Sequence, residues 1–164
     1  MAVDFASKQR DRAGEGWGLR NAKLRMSRKL IFASGMLVCF SASLDPELNA
    51  QISTDKNDIK LKLVNHIREY VRMTPLEILR KSAEQYGVPE EVVKDLFGAY
   101  LHFLNLLNDK KRREALESLK SEHSRADATF QEVRQMSEIF EKCLNNIFFE
   151  NKLIAPLTKK YGVF

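Results

Sequence analysis

The sequence predicts an all-α fold: a single-domain bundle of five to seven helices preceded by a flexible N-terminal tail. Three observations predict it. Apolar residues recur at three- and four-residue spacing along most of the chain, and no stretch alternates with period two over strand length. Seven Gly and four Pro in 164 residues are too few for the frequent turns of a β-sandwich. An apolar share of 44% beside 30% charged residues is that of a globular chain. This length suffices for one domain that buries about 70% of its unfolded surface.

Residues 1–16 are polar, lack an apolar period and close on Ala13-Gly14-Glu15-Gly16, which predicts a flexible tail; residues 17–164 form the helical domain. From Trp17 a helix is expected to run to about Ser43, bent at Gly35. Leu19, Ala22, Met26, Leu30, Ala33 and Leu37 share its inner face, with Arg20, Arg25, Arg28 and Lys29 spread over the other. Its second half, Leu30 to Leu44, is fifteen residues without a charge. A basic stretch, an apolar run and Ser41-Ala42-Ser43 together suit an export leader. However, the 29 residues ahead of the run carry three acids, unlike a leader. The run also falls short of the roughly 20 apolar residues that cross a bilayer, so a buried core helix is expected and no membrane span.

Ser53-Thr54-Asp55 and Asn57-Asp58 offer caps for a helix over 58–73, with Ile59, Leu63, Ile67, Tyr70 and Val71 facing inward. Thr74-Pro75-Leu76-Glu77 is a capping-box start with Pro in the first turn, and that helix stops at Gly87. Pro89-Glu90-Glu91 opens the next, which carries Val92, Val93, Leu96, Phe97, Tyr100, Phe103, Leu104 and Leu107 and is expected at the centre of the core. Asn108-Asp109 breaks the pattern before a short charged helix to about His123, with Arg113 and Glu117 paired at i,i+4. The last long helix, over 126–150, repeats Phe130, Val133, Met136, Phe140, Cys143, Leu144 and Ile147. Pro156 then ends or turns the chain.

Charge is distributed unevenly. Residues 1–44 hold eight Lys/Arg and three acids, whereas residues 45–164 hold nineteen of each sign, so the whole net charge of +5 lies in the first quarter. A local excess of cations concerns partners rather than fold. Arg20, Lys23, Arg25, Arg28 and Lys29, with Trp17 upstream as a stacking residue, suit phosphate contacts without base readout. A second run, Lys110-Lys111-Arg112-Arg113, sits at a helix start where the helix dipole prefers anions, which points to an anionic partner or to pairing with Glu114 and Glu117. A basic helix beside an apolar run also suits an anionic membrane surface.

Ala83, Gly87 and Val93, with Val88 and Leu96 in support, have the spacing of a helix-turn-helix corner. The second helix of that corner would enter a groove with Glu90 and Glu91 foremost, which phosphates repel, and Ser82 stands where an apolar residue is usual. A structural corner is therefore expected. Gly14, Gly16 and Gly18 follow no strand and lack a Gly-Lys-Ser/Thr, which makes them a hinge rather than a phosphate cradle.

No metal, cofactor or catalytic motif is recognisable. His66, His102 and His123 fall on separate helices, His66 shares a face only with Glu69, and His102 is expected as a hydrogen-bonded core residue. Cys39 and Cys143 have no partner at metal-ligand spacing and are expected as buried small hydrophobes in a reducing cytoplasm. The function expected is thus a non-enzymatic helical interaction module that presents a basic N-terminal helix to an anionic partner, nucleic acid ahead of lipid. The alternative is an accessory domain that docks through apolar surface, including Tyr161, Val163 and Phe164, on a larger catalytic protein or on a second copy. An enzyme would show instead as polar side chains converging beside His66 or His102.

Overall fold

The computed structural model describes residues 16–49 and 56–162. The expected N-terminal tail, apart from Gly16, lies outside the described residues, as do Val163 and Phe164. The fold is all-α, with eight helices and no strand among the described residues. They are α1 (Trp17–Leu44), α2 (Pro46–Asn49), α3 (Lys56–Arg68), α4 (Pro75–Gln85), α5 (Glu90–Asn108), α6 (Lys110–Ser118), α7 (Ala128–Asn145, continuing as a π-helical turn Asn146–Glu150) and α8 (Ile154–Tyr161). The count exceeds five to seven because α2 and α8 are short and carry proline. Pro46 opens α2, and Pro156 sits in the first turn of α8, where its missing N–H has no intrahelical partner to lose. Proline here starts helices rather than ending one.

The residues group into two compact units. One comprises the chain up to Lys29 together with Asp95–Lys142, the other Leu30–Lys94 together with the chain from Cys143 onward. The boundaries fall within α1, α5 and α7.

In the first unit the start of α1 lies against the end of α6. Gly18 N–H donates to the Leu119 carbonyl at 3.1 Å, and a Cβ on Gly18 would meet Leu116 O at 2.7 Å and Leu119 Cβ at 2.9 Å. Only glycine permits that approach. Trp17 packs on Phe130 with ring centroids 5.1 Å apart, and Tyr100 packs on both Phe103 and Phe140. Met26, Leu96, Phe103, Leu106, Leu116, Val133 and Met136 complete a buried core. Leu104 does not join it, because with Leu101 it occupies the open face of α5. The short charged helix stops at Ser118, since Leu119 turns extended (ψ 125°) to meet Gly18, and a separate 3-10 turn follows at Ser121–His123.

In the second unit Leu37 and Phe40 of α1, Leu79 and Ala83 of α4, and Ile147, Phe148 and Ile154 are buried together, with Phe40 edge-on to Phe148. The Thr74–Glu77 capping box forms as the sequence predicts. Glu77 N–H donates to the Thr74 hydroxyl, and the Glu77 carboxylate accepts from Thr74 N–H at 2.6 Å. Gly87 takes φ +66° at the corner between α4 and α5, the left-handed conformation for which glycine is suited.

α1 runs as one helix from Trp17 through Gly35 to Leu44, and its irregularity is a π-helical turn at Leu24–Arg28, in the basic segment. Other expectations fail. Cys39 is exposed, while Cys143 is buried as expected. A larger failure concerns the face expected inward on α3. Ile59, Leu63 and Ile67 are exposed, Val71 is 72% exposed, and only Tyr70 is buried. Past Arg68 the helix loosens into i→i+3 turns, Tyr70 N–H to Ile67 O and Met73 N–H to Tyr70 O, because Thr74 must be extended to cap α4. The chain tucks Tyr70 in and leaves the rest of the stripe outside.

Candidate functional site

The basic residues of α1 stand on a helix that contains no Asp or Glu from Trp17 to Leu44. Lys29 is paired with Glu141 at 2.9 Å. Arg25 Nε donates to Asn21 Oδ1 at 2.8 Å and meets no carboxylate among the described residues. Lys23 and Arg28 are exposed, likewise with no carboxylate in ion-pair distance among the described residues. Arg20 is half-buried, and its guanidinium approaches the backbone at Gly16. Trp17, expected as a stacking residue, packs on the buried Phe130 ring and keeps part of its own surface in water.

The second basic run is held differently. Arg112 is ion-paired with Glu132, which also accepts from His102 Nε2 at 2.7 Å, so one carboxylate bridges α5 and α6. Arg113 pairs with Glu117 at 3.0 Å and Lys110 reaches Glu114 at 3.9 Å. Lys111 alone of this run points into solvent without a carboxylate among the described residues. Asp109 caps the helix through Arg112 N–H, which offsets four cations at a positive dipole end. His102 is 56% exposed rather than a core residue, because it lies on the rim of α5 beside this bridge.

A separate polar cluster surrounds His66. Its Nδ1 donates to Asp45 Oδ2 at 3.0 Å, and Ser41 Oγ lies 2.8 Å from its Nε2. Asp45 also caps α2 through Glu47 and Leu48 N–H. Burial raises the Asp45 carboxyl, but those two N–H groups and His66 outweigh it and hold the group below its ordinary value. Ser, His and Asp linked in this order have the connectivity of a proton relay to a nucleophile. Ser41, however, is 2% exposed and sits inside α1, whose backbone N–H groups are engaged in the helix and supply no oxyanion donors. Its hydroxyl also lies 2.8 Å from Val38 O, which is a better acceptor for its single proton when Nε2 is protonated. The cluster is therefore a tie between α1 and α3, with a hydrogen bond for each protonation state of the imidazole.

Tyr70 stacks obliquely on His66, and Lys81 lies over the Tyr70 ring while pairing with Glu69 at 3.0 Å. Glu69 thus faces Lys81 and not His66. Nearby, burial, with smaller contributions from Tyr70 and Asp45, pushes the Tyr86 phenol up to about 12. The Tyr86 and Ser82 hydroxyls are buried without a hydrogen-bond partner among the described residues, and Ser82 is the residue that breaks the apolar pattern of a helix-turn-helix corner. No group of three or more His, Cys, Asp or Glu residues suited to a metal occurs among the described residues.

Arg20, Lys23, Arg25, Arg28 and Lys29, named from sequence spacing, lie on one helix. Spacing missed the Ser41–His66–Asp45 tie, which joins residues 21 and 25 positions apart, and it offered no signal for either π turn. No protein-family model, curated protein or solved structure matches the chain.

Proposed function

We propose that the protein is a non-enzymatic helical interaction module that presents the basic beginning of α1 to an anionic partner, with nucleic acid as the polyanion that fits best. One observation carries this reading: Lys23, Arg25 and Arg28 keep their charges uncompensated by any carboxylate among the described residues, on a helix without acids. Lys110, Arg112 and Arg113, by contrast, are engaged with glutamates. Uncompensated cations spaced along one helix suit backbone phosphates, whose contacts fix position without reading sequence. In this reading the protein works in the cytoplasm, where both thiols remain reduced.

The test is binding to duplex DNA across a salt series. Replacing Lys23, Arg25 and Arg28 by Ala should make the plot of log K against log salt shallower, by roughly one for each phosphate no longer neutralised. Replacing Lys110 and Lys111 should flatten it less. Binding that is absent, or equal in both variants, sinks the proposal. The second reading, docking through apolar surface on a larger protein or on a second copy, draws on the exposed stripe of α3.

A further inference from the structure

We propose that the outward face of α3, with the turn that follows it, is an adsorption surface for an anionic lipid bilayer. This goes beyond the nucleic-acid reading, since it concerns other residues, in the other compact unit, and another class of anion; it takes the exposed side of α3 that the docking reading also uses, but assigns it to lipid rather than to a protein.

The face is defined by what holds the helix. His66 and Tyr70 attach the segment to the rest of its unit. At 100° per residue, the side of α3 opposite His66 carries Lys60, Leu61, Val64, Ile67 and Arg68. All five are exposed, Leu61 by 58%, and Val71 and Arg72 continue the exposure into the turn. Leu61, Val64 and Ile67 thus share one solvated side of the helix, interleaved with Lys60 and Arg68, and apolar side chains grouped in this way suit a surface that is covered in use.

Charge selects the cover. The two acids of the segment lie off this face and are already paired, Asp58 with Lys62 at 2.9 Å and Glu69 with Lys81 at 3.0 Å. Among the described residues of the segment, the face therefore presents Lys60 and Arg68, with Arg72 in the turn beyond, and no carboxylate. A second copy in symmetric contact would set these cations against their own images. An acidic protein groove would take a narrow apolar stripe with charges at its flanks. Here the cations lie inside the apolar arc, with Lys60 between Ile67 and Val64 on the wheel and Arg68 between Val64 and Leu61. Long cationic side chains within an apolar arc suit a lipid–water interface. Their stems lie along the apolar side chains and their heads rise to the phosphates, while Leu61, Val64 and Ile67 enter the acyl boundary.

The experiment is sedimentation of the full chain with vesicles of phosphatidylcholine alone and of phosphatidylcholine with roughly a third phosphatidylserine. The protein should sediment with the anionic vesicles and not the neutral ones, and release as salt rises. Lys60→Ala and Arg68→Ala should each weaken binding about fivefold. The triple change Leu61→Ser, Val64→Ser, Ile67→Ser should abolish it while the far-ultraviolet helical signal is kept. The Lys23, Arg25 and Arg28 variant should retain vesicle binding, which separates this surface from the one on α1. Native protein that ignores anionic vesicles overturns the inference. So does equal binding to both vesicle types, or a dimer in solution that the triple serine change dissociates. Binding of duplex DNA lost in K60A and R68A, without vesicle binding, also overturns it.

Discussion

Two helices of this protein carry the same kind of apolar repeat and meet opposite fates. In α7, Phe130, Val133, Met136, Phe140, Cys143, Leu144 and Ile147 recur every three or four residues, and every one is buried. In α3, Ile59, Leu63 and Ile67 recur at the same spacing, and all remain exposed. The difference lies in what meets each stripe. Phe130 of α7 packs on Trp17 and Phe140 on Tyr100, whereas α3 is held mainly through His66 and Tyr70. Periodicity therefore shows that a helix has an apolar face; it does not show that the same chain covers it.

The sharpest way to break this comparison is to remove equivalent side chains from the two helices. Phe140 has no exposed surface and touches Tyr100, so Phe140→Ala leaves a cavity that the surrounding rings cannot fill. A loss of about 3–5 kcal/mol is expected, on the scale of other buried Phe truncations. Leu63→Ala, at a site that water already reaches, should cost about 1 kcal/mol or less. Urea unfolding of both variants measures the gap. Equal losses would mean that α3 is packed as tightly as α7, and the contrast would fall.

A smaller effect of the same kind separates two glycines of α1. Gly18→Ala forces a methyl group to within 2.7 Å of Leu116 O, against backbone that cannot swing aside, and should destabilise by about 1–3 kcal/mol. Gly35 has open space where its Cβ would lie, so Gly35→Ala should be neutral or stabilise by up to about 1 kcal/mol through helix propensity alone. Thermal unfolding distinguishes the two. A tolerated Gly18→Ala would show that the start of α1 is not pressed against α6.

How much was legible follows from the range of the interactions involved. The starts of α4 and α6 could be read from sequence because Thr74 with Glu77, and Asp109 with Arg112, act within one turn. The burial of the α7 stripe was legible because so long a run of repeats leaves little freedom for another face. A glycine carries no local sign of its role: Gly35 has room around it inside a continuous helix, whereas Gly18 matters through Leu116 and Leu119, far along the chain. Trp17 is similar: an aromatic beside cations suits stacking on bases, and nothing local shows that its ring also meets Phe130. The partners of His66 were invisible because neither Ser41 nor Asp45 carries a local mark of the long return that brings α3 beside them.

The smallest effect tests the tie that holds α3. Asp45 has its carboxyl held below the ordinary 3.8, so its charged form is favoured in the folded chain relative to the unfolded one. Its contribution is therefore fully present above the ordinary carboxylate range and is lost as pH falls through the folded value, when both states bind the proton. Asp45→Asn removes the carboxylate that accepts from His66 and from Glu47 and Leu48 N–H. The wild type should be the more stable of the two at neutral pH, and the gap should close as acid is added below pH 3.8. Because the Asp45 side chain keeps 26% of its surface in water, the gap is expected to be modest. Urea midpoints of both proteins across the acid range measure it. A gap that stays constant with pH would show that the Asp45 charge contributes nothing, leaving Tyr70 and the Ser41–His66 bond as what keeps α3 in place.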